Sequence, residues 1–194
     1  ASGDEMPMQS WVDVSGTSPD AQVRYGVSLI NDSKYSFDVK GCEIGMTVVG
    51  SPAYAHHVPT AIDPDHVPSY IDQGIQHLTY ALLPHADGWE QAATVRRAAE
   101  INQKPIAMFA SPHPDGRLPQ TDSFIDVRPA NIVVTVLKQA EDGGDLILRA
   151  FETSKAPTDA TVSLAHWGRA LEATFAPREI KTLRFPRDPA CTAA

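Results

Sequence analysis

The chain has 194 residues, 42% of them hydrophobic, and a formal net charge of −8 with an isoelectric point near 5.2. This length allows one ordinary domain or two small ones with a buried core. Acidic and basic residues are interspersed without a basic stripe, which argues against a nucleic-acid partner. No apolar run approaches the ~18 residues of a membrane span, which argues against an integral membrane protein.

The two cysteines, Cys42 and Cys191, form neither a disulfide framework nor a zinc-binding pattern. Cys42 is predicted to open a strand and Cys191 lies in a Pro/Ala tail, so we expect no bond between them. Such sparse cysteine favours a reducing compartment, the cytoplasm, although a cut N-terminus would also have removed any signal peptide.

The first strands are predicted from alternating apolar residues. Residues 1–10 show no periodicity and are expected to be a mobile tail, whereas Trp11 to Ser15 read as a short strand. Period-two alternation then predicts one strand through Val23, Tyr25, Val27 and Leu29, and a second through Ile44, Met46 and Val48.

Between these two strands, residues 31–41 are predicted to form an eleven-residue loop with two carboxylates, two lysines and two aromatic residues. A long, chemically mixed loop on a rigid sheet is where binding groups tend to lie, and a solvated connection is the alternative. The candidate binding residues are Asp32, Lys34, Tyr35 and Asp38, which we expect to be exposed.

A segment rich in His, Asp and Pro follows, with potential metal ligands at His56, His57, Asp63, Asp65 and His66. Their spacing matches no metal motif, and the interleaved prolines prevent a helix from aligning them. We interpret this segment as a polar surface loop and predict no metal site.

Residues 75–83 are predicted to form another strand, with Leu78, Tyr80 and Leu82 on one face and with His77 and His85 as ordinary strand and turn residues. A short helix is predicted near residues 88–102, capped by Asp87 and Glu90 and stopped by Pro105.

The rest of the chain reads as β structure. A Pro/Gly loop at residues 111–120 is the best internal boundary, and 132–137 and 146–151 are near-continuous apolar runs typical of strands covered on both faces. The segment Glu141-Asp142-Gly143-Gly144-Asp145 is predicted to join these two strands as a hairpin turn. Three further short strands, at 160–164, 171–175 and 179–185, complete the pattern of a β-sandwich.

Four runs in the same order resemble the C-terminal β region of glycoside hydrolase family 38 α-mannosidases. YGVSLINDSKYSFD is similar to the family's GVxLLNDxKYGYD, and DQGIQHLTYALLPH to DQGxHxFTYALxPH. TVRRAAEINQKP resembles VVRAAYELNNP, and PREIKTLRF resembles the usual last strand, PFEIKTLRL. The resemblance covers about Trp11 to Phe185.

The resemblance implies an all-β fold of antiparallel β-sandwiches with one short helix. The implied organisation is a mannosidase C-terminal β region at 11–110, a terminal β-sandwich at 121–187, and mobile tails at 1–10 and 188–194. Family members are retaining glycosidases whose nucleophile and zinc, or other divalent metal, belong to an N-terminal α/β domain. No motif of that domain occurs here, so we expect no catalytic or metal-binding residue in this fragment.

The resemblance also implies a role for the loop. The corresponding loop of related enzymes approaches the catalytic domain near the sugar pocket, where many relatives carry an Asp-Arg pair. Lys34 keeps the positive charge but not the planar fork of arginine. Asp32, Lys34, Tyr35 and Asp38 are therefore expected to face either the substrate or the missing domain.

Two functions remain open at this stage. The first is a C-terminal mannosidase domain that completes an active site carried by the missing N-terminal domain and acts on a mannose-containing glycan. The second is a stand-alone, non-catalytic carbohydrate-binding or structural β-sandwich. The mannosidic linkage and any homo-oligomeric state stay open.

Overall fold

The computed structural model describes residues 3–51, 65 and 70–187. The chain divides into two compact units, Ala1–Ile106 and Ala107–Ala194. The described residues form four three-stranded antiparallel sheets and one α-helix, so the predicted all-β class with one short helix is confirmed. Within the same ranges, no helix is long and apolar enough to cross a membrane.

The described part of the first unit contains six strands and the α-helix. Its strands are β1 (Met6–Pro7), β2 (Trp11–Thr17), β3 (Arg24–Asn31), β4 (Ser36–Lys40), β5 (Glu43–Met46) and β6 (Tyr80–Ala86), and its helix is α1 (Thr94–Asn102). They form two sheets, in the orders β2-β3-β6 and β1-β4-β5.

Strand β3 is the central strand of the first sheet. It pairs with the whole of β2, from Trp11 opposite Ile30 to Thr17 opposite Arg24. On its other side it pairs with β6, where Asn31 lies opposite Tyr80. The prediction that residues 31–41 form one long loop between β3 and the next strand is wrong. Five of the eleven residues of that predicted loop are strand β4, which forms a tight hairpin with β5 around Gly41 and Cys42.

The N-terminal segment is part of this fold rather than a frayed tail. Strand β1 pairs with β4, and the Glu5 carboxylate accepts hydrogen bonds from Ser36 Oγ at 2.6 Å and Thr47 Oγ1 at 2.7 Å. Met8 is buried. Apolar periodicity could not reveal this role, because two residues of strand are too few to show a period.

Helix α1 covers one face of the β2-β3-β6 sheet. It begins at Thr94 and has no side-chain cap, so the predicted capping by Asp87 and Glu90 is wrong. Strand β6 begins at Tyr80 rather than Ile75, and its Tyr80 and Leu82 side chains are 60% and 62% exposed. The face of β6 that carries Tyr80 and Leu82 is therefore exposed, although these residues were predicted to be buried. Leu83 and His85 lie on the other face, which α1 covers.

The second unit is a sandwich of two sheets. Its strands are β7 (Asp126–Arg128), β8 (Ile132–Gln139), β9 (Leu146–Glu152), β10 (Thr158–Leu164), β11 (Arg169–Phe175) and β12 (Ile180–Phe185), with a 3-10 turn at Ala165–Trp167. The sheet orders are β11-β10-β7 and β12-β9-β8. The core draws on both sheets, with Leu148, Val162 and Phe175 fully buried.

The predicted hairpin of β8 and β9 is confirmed. Arg149 and Leu137 are exposed, so these strands are fully covered on one face only.

One buried carboxylate organises the end of this sandwich. Glu152 accepts hydrogen bonds from the backbone amides of Ser154, Lys155 and Arg178 and from Asn131 Nδ2. Burial raises the pKa of Glu152, but these hydrogen bonds outweigh it and lower the pKa to about 2. Ionised Glu152 therefore ties three connecting segments together.

We expect Phe175→Ala to destabilise the second unit by about 3–5 kcal/mol, because it leaves a cavity in a fully buried core. Ile180→Ala is the matched control, since Ile180 is 67% exposed and its truncation should cost under about 0.5 kcal/mol. Urea unfolding of both variants provides the measurement. If both variants lost the same amount of stability, the sandwich core would not lie where the structure places it.

Glu152→Gln should be less stable than wild type by about 3 kcal/mol at neutral pH. The pKa of Glu152 is lowered on folding from 4.5. Its contribution is therefore present above that value and disappears as the pH falls towards 2. Urea unfolding at a series of pH values should show that the difference in the free energy of unfolding between wild type and Glu152→Gln shrinks over this pH range. A difference that is independent of pH would contradict the ionised state of Glu152.

Candidate functional site

The candidate site is the turn that leaves strand β3, residues 31–35, here called the polar turn. Asn31 at its start is fully buried. Its Oδ1 accepts hydrogen bonds from the amides of Ser33 at 3.1 Å and Lys34 at 2.8 Å, while its Nδ2 donates to Gln9 O at 3.0 Å. A buried asparagine that bonds to the backbone two and three residues ahead fixes a turn. Asn31 thus holds the conformation of the whole segment.

Asp32 and Lys34 are anchored to the segment that precedes β6. Asp32 Oδ1 accepts a hydrogen bond from the Thr79 amide at 2.8 Å, and Lys34 Nζ donates one to Gln76 Oε1 at 3.1 Å. The hydrogen bond from the Thr79 backbone is the main reason why the pKa of Asp32 lies below its ordinary value, with help from Ser33 and the nearby charge of Lys104. Asp32 is an ionised acceptor at neutral pH.

The four predicted site residues are only partly brought together. Asp32, Lys34 and Tyr35 lie in the polar turn, but Asp38 lies on β4, where its carboxylate fills the space above Gly45. Tyr35 is 62% exposed, as expected. The expectation of exposure is wrong for Asp32, Lys34 and Asp38, which are half-buried because they pack or bond within their own unit.

Below the polar turn lies a buried polar cluster, here called the Asp13 network. Asp13 Oδ2 accepts hydrogen bonds from Ser28 Oγ at 2.7 Å and from His85 Nε2 at 2.6 Å, and Asp13 Oδ1 accepts one from Ser15 Oγ. Ser28 Oγ also lies 2.8 Å from Thr94 Oγ1 on α1. The Asp13 and His85 side chains are each 5% exposed. The network therefore joins β2, β3, β6 and the helix.

The hydrogen bonds to Asp13 also determine its charge. Burial raises the pKa of Asp13, but the hydrogen bonds from Ser15, Ser28 and His85 together lower it below the ordinary value. A buried carboxylate with several donors stays ionised, and removing a donor leaves an uncompensated charge. The prediction that His85 is an ordinary strand or turn residue missed this role, because its partner is 72 positions away along the chain.

A glycine makes the bridge between His85 and Asp13 possible. Gly26 lies on β3 between the two outer strands, opposite Ser15 on one side and His85 on the other. A Cβ at Gly26 would lie 2.8 Å from His85 Cε1, 2.8 Å from Val14 O and 2.9 Å from Ser15 Cβ. The imidazole thus crosses the central strand where that strand has no side chain.

Among the described residues, no group of three or more His, Cys, Asp or Glu side chains is placed to hold a metal ion. Of the His/Asp segment discussed above, only Asp65 is described, and His56, His57, Asp63 and His66 lie outside the described residues. The described side chains do not fit a zinc centre, so we assign no step to one. Cys42 is an exposed free thiol, and Cys191 is another residue that the structure leaves undescribed.

A known family model matches part of the second unit. Residues 131–183 match the family model described as the glycosyl hydrolases family 38 C-terminal beta sandwich domain. Among curated proteins, the chain is 25% identical over 155 residues to Alpha-mannosidase G of Dictyostelium discoideum, covering 77% of this chain and 12% of that protein. It is 26% identical over 158 residues to Alpha-mannosidase 2C1 of Homo sapiens, covering 80% of this chain and 13% of the relative.

Solved structures show the same fold. An α-mannosidase from Enterococcus faecalis V583 superposes with a TM-score of 0.71 at 19% identity, over 96% of this chain and 22% of that one. A family 38 glycosyl hydrolase from Enterococcus faecalis gives a TM-score of 0.71 at 20% identity, over 95% and 23% of the two chains. The resemblance to the C-terminal region of family 38 α-mannosidases is confirmed, and the chain spans about an eighth of the length of these curated relatives.

We expect Gly26→Ala to destabilise the first unit by about 1–3 kcal/mol, since the added methyl group collides with the imidazole and with backbone. Gly16→Ala is the matched control, because Gly16 lies on neighbouring β2, where an added Cβ would have nothing within 4 Å. Thermal unfolding followed by near-UV circular dichroism measures both. If the two substitutions behave alike, the imidazole does not cross β3 at Gly26.

Proposed function

We propose that this chain is the C-terminal region of an α-mannosidase that hydrolyses terminal α-D-mannosides. The observation that carries the proposal is the agreement between the family match at residues 131–183 and the two mannosidase relatives, each of which aligns with more than three quarters of the chain. The short share of those relatives that it spans favours a supporting rather than a complete catalytic role.

In this proposal the chemistry belongs to an N-terminal domain of a longer chain. A retaining glycosidase needs two carboxylates flanking the scissile bond, one as nucleophile and one as acid and base. We infer that this pair and a zinc ion, which polarises groups close to the sugar, are supplied by that domain. The partners of the present chain are then the N-terminal domain and a mannose-containing glycan.

The polar turn is the part of this chain that we assign to the shared active site, facing either the substrate or the N-terminal domain. Its conformation is fixed by Asn31, so Asp32, Lys34 and Tyr35 are presented with little ordering cost. The Lys34 ammonium has three donors and uses one on Gln76. An acceptor from sugar or protein can occupy the others. We place Asp38 in a flanking position on β4.

The chain alone should not hydrolyse an aryl α-mannoside, with or without added zinc, because the proposed carboxylate pair and metal are on another domain. The same sequence expressed with the upstream part of its native reading frame should be active, and chelation should abolish that activity. Turnover by the 194-residue chain above a buffer blank would contradict the assignment of catalysis to the N-terminal domain. An inactive longer chain would instead favour a non-catalytic carbohydrate-binding or structural sandwich.

In the longer, active chain, Lys34→Ala should lower kcat/KM by tenfold to a hundredfold, equivalent to losing a charged hydrogen bond of about 1.5–3 kcal/mol. In the present chain the same substitution should cost about 1 kcal/mol or less, since Lys34 is half-buried and has one neutral acceptor. Lys40→Ala, at the exposed end of β4, is the matched control and should leave both quantities unchanged.

Two results would revise the role of Lys34. If Lys34→Ala unfolds the chain, the residue is structural and its link to Gln76 is essential to the first unit. If the variant keeps full activity and full stability, the polar turn is only a connection between strands.

A further inference from the structure

We propose that a groove beside the polar turn is a binding subsite for a neutral pyranoside. The groove, here called the Tyr35 groove, has a volume of about 470 Å³ and is lined by Met8, Gln9, Ser10, Tyr35 and Asn102. In identifying the sugar as a mannoside, the inference rests on the proposed function. The site itself rests on the geometry of these five residues.

The aromatic wall of the groove is held in place before any ligand arrives. The Tyr35 carbonyl accepts a hydrogen bond from the Met8 amide at 2.9 Å, and Asn31 fixes the two residues that precede Tyr35. The Tyr35 side chain is nevertheless 62% exposed. An exposed aromatic ring on a fixed backbone offers a large contact surface at low entropic cost, which suits the apolar face of a pyranose ring.

Asn102, another residue that lines the groove, is also fixed. Asn102 Nδ2 donates to Asn31 O at 3.0 Å and to Ala98 O at 2.9 Å, so the amide group cannot turn. Asn102 Oδ1 has no protein partner in the described ranges, and the same is true of the Ser10 hydroxyl, the Gln9 amide and the Tyr35 hydroxyl. Convergent polar groups that are unused by the protein can exchange hydrogen bonds with sugar hydroxyls.

The chemistry of the lining selects an uncharged ligand. None of the five residues is a Lys, Arg, His, Asp or Glu, so a phosphate, a carboxylate or an ammonium group would find no opposite charge in the groove. Met8 also lines the groove, and its buried side chain is held in place by a hydrogen bond from Asn31 Nδ2 to its Sδ at 3.7 Å. An exposed aromatic ring beside uncharged hydroxyl and amide groups matches a neutral ring with many hydroxyls.

The groove also lies next to the residues that the proposed function uses. Lys34 directly precedes Tyr35, and Asn31 bonds to both the Lys34 amide and Gln9 O on the groove wall. A mannose unit bound at Tyr35 would therefore neighbour the part of the chain assigned to the shared active site. The inference is that a longer mannoside is held at a second ring position by this chain.

The experiment is an amide NMR titration of the 194-residue protein with methyl α-D-mannopyranoside, with glycerol as the control for unspecific hydroxyl contacts. We expect saturable shifts at Gln9, Ser10 and Tyr35 with a Kd of about 1–10 mM, as befits a shallow site for a small ligand. Tyr35→Ala should weaken binding about fivefold, while Tyr35→Trp should keep it. Tyr25→Ala removes another exposed tyrosine of the first unit and should have no effect.

Three results would overturn the inference: no saturable shift at tenfold higher concentration, equal shifts with glycerol, or unchanged affinity in Tyr35→Ala. The titration involves no catalysis, so its outcome is separate from that of the proposed function. If the longer chain is active and nothing binds here, the groove is wrong and the proposed function stands. If mannoside binds here and the longer chain is inactive, the groove stands and the proposed function is wrong.

Discussion

The first unit depends on one buried interaction, the bridge from His85 on β6 to Asp13 on β2 across the central strand. It joins the two outer strands of the sheet at 2.6 Å with both side chains 5% exposed. Removing the His85 donor would leave the buried, ionised Asp13 with one hydrogen bond fewer, a loss of about 1–3 kcal/mol. The bridge can exist only because Gly26 leaves the space above β3 open. A single glycine thus permits the contact on which the sheet depends.

The same network positions the candidate site. Ser28 links Asp13 to Thr94 at the start of α1, and Asn102 at the other end of the helix donates to Asn31 O. The helix is therefore fastened to β3 at both ends, and the second fastening lies where the polar turn begins. Buried polar clusters of this kind make one arrangement much more favourable than its neighbours. The backbone conformation of the polar turn follows from the contacts of Asn31, and the Lys34 side chain is held in addition by Gln76.

The sequence predicts most strands and the β8–β9 hairpin, but not the partners of the strands in the first unit. Alternation in Val23 to Leu29 shows a strand and says nothing about whether β2, β5 or β6 lies beside it, since pairing is set by contacts distant in sequence. Strand β4 was hidden because Ser36, Asp38 and Lys40 are polar, so its alternation resembles a loop. Tyr35 and Lys34 could be singled out by residue type. Asn31 carried a signal that was available, a turn-forming asparagine after a strand, whereas Gln76, His85 and Asn102 act through distant partners.

The central claim is that the Asp13 network holds the polar turn through α1, and amide hydrogen exchange of Asp13→Asn tests it most directly. The account predicts faster exchange in two places, the α1 amide of Arg97 and the amides of Ser33 and Lys34, which donate to Asn31 Oδ1. The strands of the second unit should exchange as in wild type. Wild-type protection at Ser33 and Lys34, with α1 loosened, would show that the turn does not depend on the network and would contradict the account.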